Sequence, residues 1–331
     1  MKHFKKGIFY STLLVSLILI GCSNDDDEDK LGNWIKKSAF DGPARSSATG
    51  FVIGTYAYVT TGYTGDEYLS DLWAYNSEGD FWEQKADFIG VARSSGAGFE
   101  LDGKGYVGLG YDGTNKLKDF FEYNPDTNSW TQKADFAGTA RYGAVGFQVG
   151  GKAFLGTGYD GNYLKDFYQF NPTENSWTQV NGFSGNKRRN ATVFVIDNIA
   201  YLGTGINSGV NQSDFWAFDP STDVWTRKRD LDDDEEDHDT YSIKRSNAVS
   251  FSLDGLGFVA CGESSKTVWE YNPNTDIWKE KTSLEGSGRS DAIGVSFASN
   301  KAFIMLGKSG TSYFDDVWEF KPKDEQSDDD N

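Results

Sequence analysis

Short apolar runs recur along the chain from residue 45 to residue 320, each closed by glycine or by a polar turn, and no run has helical spacing. They come in a fixed order. A strand of small residues opens on an arginine: ARSSATGF, ARSSGAGF, ARYGAVGF, KRRNATVF, KRSNAVSF and GRSDAIGV, with Arg45, Arg93, Arg141, Arg188, Arg245 and Arg289 in the leading positions. A two-residue turn follows, as in Asp102-Gly103, Gly150-Gly151, Asp197-Asn198 and Asp254-Gly255. Such pairs tolerate positive φ and predict tight hairpins. A second apolar strand ends in glycine (YAYVTTG, GYVGLG, AFLGTG, AYLGTG, GFVACG, AFIMLG), and a variable loop leads to a third (DLWAY, DFFEY, DFYQF, DFWAF, TVWEY, DVWEF). A turn of the type YNPDTNSW then feeds a fourth strand that begins at tryptophan.

The tryptophans give the period. Trp34, Trp82, Trp130, Trp177 and Trp225 are 48, 48, 47 and 48 residues apart, and Trp278 follows after 53. A period of that length marks a repeated supersecondary unit. Four antiparallel strands repeated six times predict an all-β fold, a six-bladed β-propeller. Ala48, Gly96, Ala144, Ala191, Ala248 and Ala292 stand three residues after each arginine, where converging blades demand small side chains; the tryptophans suit the wider space outside. The sixth unit ends at DVWEFKP without its tryptophan strand, and the chain start supplies one. GNWIKKSAFDGPAR matches NSWTQKADFAGTAR, and Trp34 precedes Arg45 by 11 residues, the gap that also separates Trp82 from Arg93 and Trp278 from Arg289. The first strand is therefore expected to complete the last blade, leaving no open edge.

With these six units in view, residues 33–321 resemble kelch repeats. One departure stands out. The family usually ends its second strand in Gly-Gly, whereas here the pairs are Thr61-Gly62, Leu109-Gly110, Thr157-Gly158, Thr204-Gly205, Cys261-Gly262 and Leu306-Gly307. The resemblance implies a propeller whose partners are contacted by the loops of one face. It implies no particular activity.

Acidic residues outnumber basic ones by 50 to 32, for a net charge of −18, which sets nucleic acid and anionic lipid surfaces aside as partners. Lys2, Lys5 and Lys6 precede GIFYSTLLVSLILIG, an apolar run too short to span a bilayer comfortably. It closes on Leu19-Ile20-Gly21-Cys22, which resembles the lipobox of bacterial lipoproteins. That resemblance implies a signal peptide over 1–21, acylation of Cys22, membrane attachment through the lipid, and a mature charge of −21 once the three lysines leave. Residues 22–32, with SNDDDEDK, read as an acidic tether and resemble the signal that sends lipoproteins to the outer face of the outer membrane. Residues 322–331 read as a disordered acidic tail. Cys261, in an apolar strand, reads as an inert buried thiol, so no disulfide framework is expected.

Candidate chemistry collects on the loop face. The six arginines suit a carboxylate or phosphate. They equally suit Asp71, Asp119, Asp166, Asp214 and Asp316, which recur at the start of the third strand, as ties within the scaffold. Residues that vary between units are the better candidates for specificity: Tyr63, Tyr111 and Tyr159 directly after the strand-ending glycine, and Asn190, Asn247 and Asp291 two residues past their arginines. Such a mouth suits a sugar, whose apolar faces stack on aromatics while its hydroxyls bond polar groups. The acidic loop over 230–244 has the oxygen ligands that calcium favours but not the ligand order of known calcium loops, so it reads first as a solvated loop.

Only two histidines are present, His3 in the signal and His238 in the acidic loop. Ser/His/Asp catalysis and His-ligated copper or zinc are therefore not expected, and no cofactor or metal is assigned. Carboxylate acid–base chemistry stays open. The sequence thus predicts a lipid-anchored extracytoplasmic propeller, monomeric or a subunit of a surface complex, that binds a glycan or protein without catalysis. The alternatives are a sugar-modifying enzyme of the sialic acid epimerase or mutarotase type, and a scaffold subunit.

Overall fold

The structure, a computed structural model, describes residues 30–233 and 241–327 together with Met1 and His3. The expected signal peptide, Cys22, most of the tether, the middle of the acidic loop with His238, and residues 328–331 lie outside the described residues.

Six four-stranded antiparallel sheets stand around one axis. Blade 1 runs from axis to rim as Thr49–Ile53, Tyr56–Thr60, Leu72–Asn76 and Phe81–Lys85. Blades 2 to 5 repeat it from Ala97–Leu101, Val145–Val149, Thr192–Ile196 and Val249–Leu253. Blade 6 comprises Ile293–Phe297, Lys301–Met305, Val317–Lys321 and, as its rim strand, Asn33–Lys36. The expected closure is present: Trp34 lies opposite Phe320 in the ladder and stacks on it at 4.5 Å. The inner hairpins of blades 2 to 5 turn where two successive residues take positive φ, as Asp102 (53°) and Gly103 (75°) do, the backbone of a type I′ turn.

The apolar core is divided among the blades. Each of six buried clusters lies between two neighbours; Phe51, Tyr58, Phe88, Phe121 and Trp130, for instance, fill the space between blades 1 and 2. The strands supply it by alternation: in Val145–Val149 and Val249–Leu253 every second residue is buried. Around the axis, Ala48, Gly96, Ala144, Ala191, Ala248 and Ala292 stand at the expected small-residue positions and help to line a shaft of about 210 Å³.

Polar ties join the blades at the rim. Two residues before each rim tryptophan, Asp80, Asn128, Asn175, Asp223 and Asp276 take positive φ. Their side chains accept from the backbone N–H at the end of the preceding blade's rim strand: Ser38 to Asp80 (2.9 Å), Ala86 to Asn128 (2.9 Å), Ala134 to Asn175 (2.9 Å), Asn181 to Asp223 (3.1 Å) and Arg229 to Asp276 (3.2 Å). The repeated turn is thus a staple between neighbours.

Residues 322–327, expected within a disordered tail, instead follow the closing strand. Gly32 N–H donates to the Asp324 carbonyl (2.8 Å), Ser327 N–H to Asn33 Oδ1 (3.2 Å), and Lys323 pairs with Asp254. The reason is local: the backbone N–H just before the rim strand and the Asn33 side chain at its start find partners in this segment. Lys30, near the end of the segment expected to be a tether, is held too, paired to Glu280 at 2.5 Å. At the base of the acidic loop, Asp232–Asp233 pairs with Tyr241–Ser242 above the buried Leu231 and Ile243; the calcium expectation concerns residues that lie largely outside those described.

Candidate functional site

The links between blades and the loops between second and third strands meet on one face. At its centre the residues two past each arginine, Ser47, Ser95, Gly143, Asn190, Asn247 and Asp291, all take φ between 53° and 63°. That turn points each N–H at the neighbour's carbonyl. Ser47 donates to Asp291 (2.8 Å), Ser95 to Ser47 (2.8 Å), Gly143 to Ser95 (3.0 Å), Asn190 to Gly143 (2.8 Å), Asn247 to Asn190 (3.4 Å) and Asp291 to Asn247 (3.0 Å). Six backbone hydrogen bonds close a ring around the axis. Inside it is a polar pocket of about 130 Å³ lined by these six residues. Ligand pockets typically run from about 300 Å³ upward, so the hole admits only a small group, and a larger ligand must lie on the surrounding rim.

Asp291 is the ring's charged member. Its burial raises the carboxyl above the ordinary carboxylate range, while Lys308, with Nζ at 3.8 Å, and the Ser47 hydroxyl pull the other way without reversing it. Asn190 Nδ2 donates to Asn247 Oδ1 beside it. The structure therefore brings Asn190, Asn247 and Asp291 together on the axis.

The arginines are elsewhere. Arg45, Arg93, Arg141, Arg188 and Arg289 are fully buried, at 0% exposure, beneath the mouth. Each closes on the aspartate of its own blade: Arg45 on Asp71 (2.5 and 2.6 Å), Arg93 on Asp119 (2.5 and 2.7 Å), Arg141 on Asp166 (2.6 and 2.8 Å), Arg289 on Asp316 (2.5 and 2.8 Å), and Arg188 on Asp214. The reading of these five as an open anion pocket is corrected: their donors are spent on carboxylates and carbonyls inside the scaffold. Burial alone would raise the Asp316 carboxyl, but Arg289 and the Trp318 indole outweigh it and hold the group below its ordinary range. Arg245 differs and has no aspartate opposite it. Its Nε donates to the Ile243 carbonyl (2.9 Å), and Nη1 to the Cys261 carbonyl (3.0 Å) and the Thr267 hydroxyl (2.9 Å). Cys261 is buried, which pushes its thiol up to about 12.

The rim is asymmetric. Tyr63, Tyr111 and Tyr159 lie on it, and four more tyrosines join them. In order around the mouth, Tyr313, Tyr63, Tyr68, Tyr111, Tyr142, Tyr159 and Tyr163 form one chain of half-buried rings, with successive centroids between 4.7 and 6.4 Å apart. The phenols of Tyr63 and Tyr111 donate to the Gly65 (2.5 Å) and Gly113 (2.8 Å) carbonyls of their own loops, which fixes both rings. Arg189 ends the arc. Its guanidinium lies 5.2 Å from the Tyr142 ring and 5.1 Å from the Tyr159 ring, and it donates to the Tyr142 hydroxyl. The loops between the second and third strands of blades 4 and 5 carry no tyrosine. At the Tyr313 end a polar cleft of about 570 Å³ opens between blades 5 and 6, lined by Ser264, Lys266, Ser287, Ser309, Ser312 and Phe314 among others.

Tyr68, Tyr142, Tyr163, Tyr313 and Arg189 are absent from the expected site. A signal for two of them exists: Tyr68 follows Tyr63 by five residues and Tyr163 follows Tyr159 by four, each bridged to its partner across the loop. Tyr142 and Arg189 lie in links, 47 residues apart, and meet only because the blades close on one another.

No family model matches the sequence, and no curated protein matches it. Among solved structures the chain is similar to that titled "Structure of YjhT", with a TM-score of 0.71 and 16% identity over 85% of this chain and 95% of that one. At that identity the likeness carries the six-bladed fold alone, and kelch membership stays a resemblance.

Proposed function

We propose that the protein is a binding protein for a glycan, which it holds across the loop face against the tyrosine arc. The contiguous arc carries this reading. Rings that share edges and faces over half of a mouth offer a broad apolar platform with fixed orientation, and flanking Arg189, Lys308, Asn190 and Asn247 supply hydrogen-bonding partners for hydroxyls. The pinned phenols lower the ordering cost of binding. The narrow axial hole suits a ligand laid over the mouth better than one swallowed by it. In this reading the propeller is a kelch-type scaffold, acylated at Cys22 and displayed at the outer membrane.

A glycan array probed with the purified protein tests the binding. Tyr111→Ala and Tyr159→Ala are each expected to weaken capture about tenfold, the effect of roughly 1.4 kcal/mol. Unchanged capture by both variants sinks the proposal. Attachment is tested separately, by incorporation of labelled palmitate and its loss in Cys22→Ala.

Asp291 favours a second reading, an enzyme that acts on sugars. A half-buried carboxyl with a raised pKa at the centre of a mouth is placed as a general acid would be. This reading expects anomer interconversion of acidic sugars to be accelerated by the protein and not by Asp291→Asn. Equal rates with and without the protein, followed by proton NMR, eliminate it.

A further inference from the structure

The geometry points to a carboxylate-binding site in blade 5, formed by Arg245 Nη2, the indole N–H of Trp269 and the space an aspartate side chain would occupy at Thr267. The observation is internal to the molecule. In blades 1, 4 and 6 the aspartate that opens the third strand accepts from two donors at once, the blade's arginine and a tryptophan two residues on. Asp71 takes Arg45 and Trp73 (2.8 Å), Asp214 takes Arg188 and Trp216 (2.8 Å), and Asp316 takes Arg289 and Trp318 (2.7 Å).

Blade 5 keeps both donors and lacks the acceptor. Thr267 stands in the aspartate's place, and its shorter, neutral side chain reaches only Nη1. The indole nitrogen of Trp269 is buried without a hydrogen-bond partner. Among the described residues no carboxylate bonds to Arg245. The nearby Glu263 accepts from Ser246 (3.1 Å) and Glu280 pairs with Lys30 (2.5 Å). Buried cations and orphaned N–H groups are costly, and a bound anion removes both costs together. Arg245 is 7% exposed, against 0% for the other five arginines of the repeat, so it is the least shielded of the six. The acceptor that fits in the sister blades is a planar carboxylate, so the expected ligand is a small carboxylate or the carboxylate end of a larger molecule. The site lies beneath the polar side of the mouth and does not depend on the glycan reading.

The test replaces sodium chloride stepwise by sodium acetate at constant ionic strength while Tm is read. The wild-type Tm is expected to rise and saturate. Thr267→Asp restores the aspartate of the other blades; it is expected to lift Tm in chloride by about 3 °C or more and to abolish the acetate response. Trp269→Phe keeps the ring and removes one donor, so half-saturation moves to about tenfold higher acetate; this variant serves if Thr267→Asp does not fold. A flat wild-type Tm, or an undiminished acetate response in the variants, overturns the assignment.

Discussion

At the scale of single residues, the backbone before each strand-ending glycine explains a departure that the sequence displays without its reason. Thr61, Leu109, Thr157, Thr204, Cys261 and Leu306 all take φ near 60°, a region costly for residues with side chains. The conformation aims each carbonyl at Nη1 of the blade's own arginine, 2.9 to 3.1 Å away. Thr157 shows the strain least compensated, since it is β-branched and its buried hydroxyl has no partner. Thr157→Gly is expected to stabilise the protein by about 1 kcal/mol, read by urea denaturation; a loss of that size would mean that packing of the methyl group outweighs the strain. Asp291 yields a pH prediction. Its folded pKa lies above the unfolded value, so its contribution is fully present below the unfolded pKa of about 3.9 and is lost as pH rises through the folded value. Asp291→Asn should therefore raise Tm above the wild-type value near pH 7, with the gain vanishing below about pH 4. Three of the seven tyrosines of the mouth were legible at this scale. Tyr63, Tyr111 and Tyr159 share one position after a glycine, whereas Tyr68 and Tyr163 sit five and four residues further on in loops of different length, so the signal for them is a second tyrosine in the same loop and not a repeated position.

At the scale of elements, the turn before each rim tryptophan does two jobs. It reverses the chain, and it offers an acceptor to the preceding blade. Asn128 Oδ1 takes the Ala86 N–H and also the Tyr123 hydroxyl (2.8 Å); Asp80 and Asp276 repeat this with Tyr75 and Tyr271 (2.7 and 2.8 Å). Asn128→Ala leaves two donors unpaired and puts alanine at positive φ, at an expected cost of about 2 kcal/mol. Asn128→Asp, the residue other blades use, should cost well under half as much, and comparison of the two denaturation midpoints checks the assignment. The strands and their turns could be read from apolar runs and turn residues. The staples could not, because each joins groups 41 to 47 residues apart that only the ring brings together.

At the scale of the whole molecule, stability is divided into six slabs between blades, and the slab between blades 5 and 6 depends on a strand of four residues. Trp34 is wholly buried there, stacked on Phe320, with its indole donating to the Thr282 carbonyl (3.3 Å). Trp34→Ala is expected to cost about 3–5 kcal/mol, and amide exchange should accelerate first in Val317–Lys321, ahead of the other blades. Uniform acceleration would show that the ring fails as one unit. This closure was legible because Trp34 keeps the 11-residue gap to its arginine; the clasp made by residues 324–327 was not, because nothing in an acidic tail announces a partner. The direction of the closing strand has a mechanical consequence. Asn33 lies at the end away from the mouth, and the chain runs from Lys36 up to the link that enters the central ring at Ser47. Tension between the leading end of the propeller and anything gripped at its mouth therefore runs along this strand. Its bonds to Val317–Lys321 are sheared together and not unzipped in turn, so the ring is fastened along the line on which such a pull would act.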